Sequence, residues 1–111
     1  MIDYFDNLNT LKEIKKFLDW FLESQGFCVI CGYDNPLDLE GDHIGARANS
    51  PLVVSLCRNC HGRKSKMQRK SWPQGWYDKN KPRQIKKALV LRGFSDLLRI
   101  KSDHILEENH G

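Results

Sequence analysis

The 111-residue sequence has no uninterrupted apolar run near the ~20 residues of a membrane-spanning helix, which excludes a helical membrane protein. Its first ten residues, MIDYFDNLNT, are acidic and lack the apolar stretch of a secretion signal, so an intracellular protein is expected. It has no internal repeat and no low-complexity linker, which favours a single domain over residues 1–111. Acidic residues are scarce in the second half. Residues 58–111 hold five of them against fourteen Lys and Arg, for a net +9, whereas residues 1–57 carry −5. A solvated basic face would produce this asymmetry, and so would a polyanionic partner, of which nucleic acid is the commonest. Hydrophobic content of 40% is enough to argue against disorder. A chain this short builds only a small core, so a covalent or metal staple would help it.

Apolar spacing predicts a helix over residues 10–25, with Leu11, Ile14, Phe17, Leu18, Phe21 and Leu22 on one side. Thr10-x-x-Glu13 reads as its capping box and Gly26 as its stop. Residues 37–44 alternate and predict a strand with a break near Gly41. Residues 53–56, β-branched and following Pro51, predict a second strand, and residues 58–68 a short helix. The segment 71–77, SWPQGWY, reads as an aromatic turn whose rings pack the loop rather than stack on bases. Helical spacing returns over residues 82–100 through Ile85, Leu89, Phe94, Leu97 and Leu98. Gly93 is expected to divide that helix, with Ser95 as the second N-cap, and the tail after Asp103 is expected to fray.

The only cysteines are Cys28, Cys31, Cys57 and Cys60, in the order Cys-x2-Cys-x25-Cys-x2-Cys. Two thiolates two residues apart aim at one ion from a tight turn, and two such turns complete a tetrahedral sulfur shell for zinc. Two disulfides or four free core thiols would use the same residues, but disulfides are disfavoured inside the cell. Four thiolates leave no open position, so this zinc is expected to be structural.

That leaves Asp42, His43 and His61 without a structural task. Asp42 and His43 end the first predicted strand, and His61 follows Cys60 directly. An Asp oxygen and an imidazole nitrogen suit Mg²⁺, Mn²⁺ or another first-row divalent ion, and the second histidine is free to take a proton from water. Ordinary surface polarity is the plainer account of each residue taken singly.

Together, "CVICG", "LEGDHI" and "LCRNCHGRK" resemble the HNH nucleases, the ββα-metal group, over about residues 28–66. The resemblance implies an α+β fold: a small ββα-metal core over about 28–68 with two zinc knuckles, flanked by an N-terminal helix and C-terminal helices. It implies that Asp42 and His61 bind the catalytic divalent ion and that His43 is the general base. It also implies a metal-dependent DNA endonuclease that nicks to leave 5′-phosphate and 3′-hydroxyl ends. The middle Asn of the family's pattern is replaced by Leu52 in "PLVVSLC", and Asn49 is the nearest substitute. The family's Gly-Gly pair in the long loop is absent.

Arg47, Arg63, Lys64, Lys66, Arg69 and Lys70 surround or follow the site and are the expected DNA contacts, neutralising phosphates without reading sequence. Lys64 lies one helical turn after His61 and shares its face. Two other functions use the same features: a zinc-stapled, non-catalytic DNA-binding module with a degenerate HNH site, and an assembly component whose basic half meets an acidic protein.

Overall fold

The computed structural model describes residues 4–23 and 26–109 of the chain. Its elements run α1 (Tyr4–Glu23), a 3-10 turn (Pro36–Asp38), β1 (Leu39–His43), β2 (Val53–Cys57), α2 (Arg58–Ser71) and α3 (Arg83–Glu108). The fold is α+β, with one two-stranded antiparallel sheet and three helices. Among the described residues, no helix is long and apolar enough to cross a membrane.

The β-hairpin is in register from Leu39 opposite Cys57 to His43 opposite Val53. Val54 and Leu56 are buried while Val53 is exposed, the period-2 pattern of a half-covered sheet. Gly41 does not break the strand; it pairs with Ser55. Leu37 lies outside β1, 87% exposed on the 3-10 turn, where the Asn35 side chain caps its N–H. The main core joins Phe21 of α1, Ile30 of the first knuckle, Ile44, Leu56 of β2, and Leu97 and Ile100 of α3. A smaller cluster of Ala46, Trp72 and Leu89 lies beneath the loop that follows β1, with Trp76 against it.

Three helix boundaries correct the sequence reading. α1 starts at Tyr4, so Thr10 is inside it rather than at its N-cap; no proline or glycine separates Tyr4 from Thr10 to stop the helix there. Residues 24 and 25 and the side chain of Leu22 lie outside the described residues. Gly26 has the left-handed φ of +82° expected of a stop. α3 runs unbroken through Gly93, and Ser95 is within it rather than at a cap. The glycine instead permits contact. A Cβ there would overlap the carbonyl oxygen of Ile44, so the missing side chain lets α3 lie against the loop backbone. Gly45 makes the reciprocal approach, where a Cβ would come within 2.8 Å of Val90 Cα. The tail does not fray at Asp103; a His104–Glu108 pair at 2.9 Å and an Arg63–Glu107 pair at 3.3 Å support it to Glu108.

Candidate metal centres

The ligand atoms of Cys28, Cys31, Cys57 and Cys60 all lie within 4.8 Å of one another, and all four thiols are free of disulfides. The sulfurs of Cys31 and Cys57 are 3.7 Å apart. That is far beyond disulfide bonding and close to the ~3.8 Å edge of a tetrahedron with metal–sulfur bonds of ~2.3 Å. Gly32, at φ +80°, closes the first knuckle, donating its N–H to the Cys28 carbonyl at 2.8 Å. The Val29 N–H docks that knuckle onto Ser55 of β2. The second pair needs no separate loop, because Cys57 ends β2 and Cys60 is in the first turn of α2.

Charge argues for a cation among these sulfurs. Hydrogen bonding from Cys60, with help from the N–H groups of Cys31, Cys57 and Ile30, draws the Cys28 thiol well below its ordinary range. Cys60 is pushed up chiefly by the same interaction with Cys28, and Cys31 is pushed up chiefly by burial. Four thiols packed this closely cannot all ionise unless a positive ion balances them. The cluster therefore fits a metal ion.

The fold also assembles a second polar group around His61, from β1 and the first turns of α2. Glu40 and Asp42 are two apart on β1, so they point to one face, and that face meets α2. His61 Nδ1 is hydrogen-bonded to Glu40 Oε2, and its Nε2 lies 3.5 Å from Asp42 Oδ1. With the Nδ1 proton directed at Glu40, the Nε2 lone pair faces Asp42. A carboxylate behind a histidine in this way fixes the tautomer and the ring orientation, as it does for metal-binding histidines. Two donors on one first-row ion, at bond lengths of ~2.0–2.2 Å, are themselves about 3.0–3.4 Å apart. The Asp42–His61 gap therefore fits an ion with little adjustment. Among the described residues, only the four cysteines form a set of three or more such donors around one point.

Asp42 is 3% exposed, and burial pushes its carboxyl above the ordinary range against the opposing pull of Lys64, His61 and His43. Lys64 Nζ lies 2.9 Å from Asp42 Oδ2, off a hydrogen-bonding line, so Oδ2 retains unfilled hydrogen-bonding capacity. The same ammonium donates to Gln68 Oε1 at 2.7 Å and to the His43 carbonyl at 3.3 Å, and sits over the Trp72 ring. Lys64 is fully buried, which corrects its expected role as a DNA contact: its charge is engaged by Asp42 inside the protein.

His43, next in the strand, is turned toward the loop. It lines an open pocket with Arg47, Ala48, Asn49, Ser50, Pro51 and Lys86, and neither Asp42 nor His61 forms part of that wall. The loop is held in shape by Asn49, whose Nδ2 donates to the Gly45 carbonyl at 2.7 Å and the Trp76 carbonyl at 3.0 Å. Ala46, the one non-glycine residue with positive φ among those described, accepts from the N–H groups of Asn49 and Ser50. Trp72 and Trp76 pack beneath the loop, as expected of the aromatic turn, while Tyr77 is 65% exposed. Arg47, Lys66, Arg69 and Lys70 are exposed; Arg63 is exposed and paired with Glu107.

Glu40 and Lys86 escaped the sequence reading. Alternation from Asp42 in β1 was enough to place Glu40 beside His61, whereas Lys86 reaches the pocket only through the packing of α3 on the loop. No family profile matches the chain, and no curated protein or solved structure shows significant similarity to it.

Proposed function

We propose that this chain is a metal-dependent DNA endonuclease of the HNH type, with structural zinc in its four-cysteine cluster. The observation that carries this reading is the Glu40–His61–Asp42 arrangement: an imidazole held from behind by one carboxylate presents its free nitrogen beside another. Asp42 and His61 would hold a divalent ion, which when bound stabilises charge on the phosphoryl oxygens and the leaving oxygen. Lys64 keeps Asp42 oriented through Oδ2, leaving Oδ1 toward His61. His43 accepts a proton from water as the water oxygen attacks phosphorus in line. Imidazole suits this step because it exchanges protons near neutral pH. The bond from phosphorus to the 3′ oxygen breaks and that oxygen takes a proton from solvent water, leaving 5′-phosphate and 3′-hydroxyl ends. Arg47, exposed on the wall of the same pocket, neutralises a phosphate near His43. Asn49 keeps the loop in place behind both.

The buried Lys64–Asp42 pair favours a second reading. Lys64 already supplies a positive charge where an ion would act, as in a DNA-binding module whose catalytic site has degenerated. A supercoiled plasmid incubated with a panel of divalent ions separates the two. Nicked circles with Mg²⁺ or Mn²⁺, and none with EDTA, are expected of the endonuclease. DNA binding without nicking under any ion would leave the module.

A further inference from the structure

Along one side of the loop that follows β1, four cations have no acidic partner among the described residues. Arg47 is on the loop, and Lys86 faces it from α3 across the His43 pocket. An adjoining depression shares Asn49, Ser50 and Lys86 with that pocket and continues along α3 past Arg83 and Lys87. No Asp or Glu lines either depression. Among the described residues, none of these four cations enters an ion pair. Arg83, Lys86 and Lys87 are spaced i, i+3, i+4, which puts them on one face of α3.

The basic residues of α2 contrast with these. Arg58 lies near Asp38 and Glu40, Arg63 is paired with Glu107, and Lys64 is buried against Asp42. Lys66, Arg69 and Lys70 are exposed, but none of them lines the His43 pocket. The trough also lacks the large aromatic or aliphatic anchors that protein interfaces use; its apolar wall is Ala48, Pro51 and Val90. A continuous row of unpaired cations without such anchors selects a ligand by its repeating negative charge.

We infer that this trough is the track along which a DNA strand reaches His43, with Arg47, Arg83, Lys86 and Lys87 on its phosphates. The end point of the track rests on the endonuclease reading; the binding does not. The test uses full-length His43→Ala protein without added divalent ion, so that cleavage plays no part. DNA affinity is measured against salt concentration for this protein, for Arg83→Gln with Lys87→Gln, and for Lys66→Gln with Arg69→Gln and Lys70→Gln. Losing two phosphate contacts should lower the log–log salt slope by about 1.8 and weaken binding roughly 60-fold at 0.1 M salt, since each contact contributes about 0.9. The α2 triple variant should stay close to its parent. The inference is overturned if the α3 double variant keeps the parental slope, if both variants lose it equally, or if the parent does not bind DNA at low salt. Trough-dependent binding by a wild-type protein that never nicks would overturn the endonuclease reading alone.

Discussion

Gly93→Ala sets helix propensity against packing at a single atom. In a helix interior, alanine is favoured over glycine by about 0.8–1.0 kcal/mol. Gly62 in α2 is the matched control, because a Cβ there would meet nothing within 4 Å. At Gly93 the added Cβ would overlap the Ile44 carbonyl oxygen and lie 2.5 Å from its carbonyl carbon. Both are backbone atoms, so no side-chain rotation relieves the contact. Restoring ordinary van der Waals distance to the carbonyl oxygen requires α3 and the loop to separate by nearly 2 Å. Overpacking of this kind costs about 1–3 kcal/mol, and a clash with backbone belongs at the upper end. Net of propensity, Gly93→Ala should destabilise by about 2 kcal/mol, a fall in Tm of roughly 8–16 °C at ~4–8 °C per kcal/mol. Gly62→Ala should instead raise Tm by a few degrees. Thermal melts by circular dichroism at matched zinc content read both. Nicking by Gly93→Ala, measured well below its Tm, should fall by at least about 10²-fold, because a shift of more than 1 Å moves the loop that carries His43, Arg47 and Asn49. A Tm for Gly93→Ala at or above wild type would refute the close approach of α3 to Ile44.

Three further substitutions address the cysteine cluster and the Asp42–His61 pair. Cys57→Ser should lose the tightly bound zinc and most of the fold, since structural zinc contributes about 10 kcal/mol or more in small domains; elemental analysis and circular dichroism check this, and a folded variant with full zinc would contradict it. Glu40→Gln should raise the divalent-ion concentration needed for nicking by about 10–100-fold while leaving zinc content unchanged, because the Glu40 carboxylate is bonded to His61 and lies near Arg58. An unshifted ion dependence would remove Glu40 from the site. Lys64→Met should destabilise by about 3–5 kcal/mol by stranding the buried Asp42 carboxylate, and added Mn²⁺ should recover more Tm in this variant than in wild type. Equal Mn²⁺ shifts would argue against an ion at Asp42.

Local spacing made some of this structure legible and packing concealed the rest. The four cysteines declare one cluster because a two-residue gap forces each pair into one turn. The β-hairpin is legible from the alternation within residues 37–44 and the β-branched run that follows Pro51. Gly93 misleads because a helical glycine is read as a break when only one chain is in view, and its use here is to meet Ile44, 49 positions earlier. Lys64 misleads for a related reason. Its placement on the face of His61 is local and holds, but that face is covered by β1 and the Trp72 turn, so the charge points inward. The basic wall of α3 is legible as charge, yet only the packing of α3 on the loop puts it beside His43.

The central claim is that His43 takes the proton in hydrolysis of a DNA phosphodiester. Its most direct test is the single-turnover rate of plasmid nicking by wild type and His43→Ala, at equal zinc content and equal occupancy of DNA and with contaminating nuclease excluded. The account predicts that the substitution abolishes nicking in Mg²⁺ and Mn²⁺ alike while Tm, zinc and DNA affinity stay at wild-type values. Nicking by His43→Ala at the wild-type rate would contradict it.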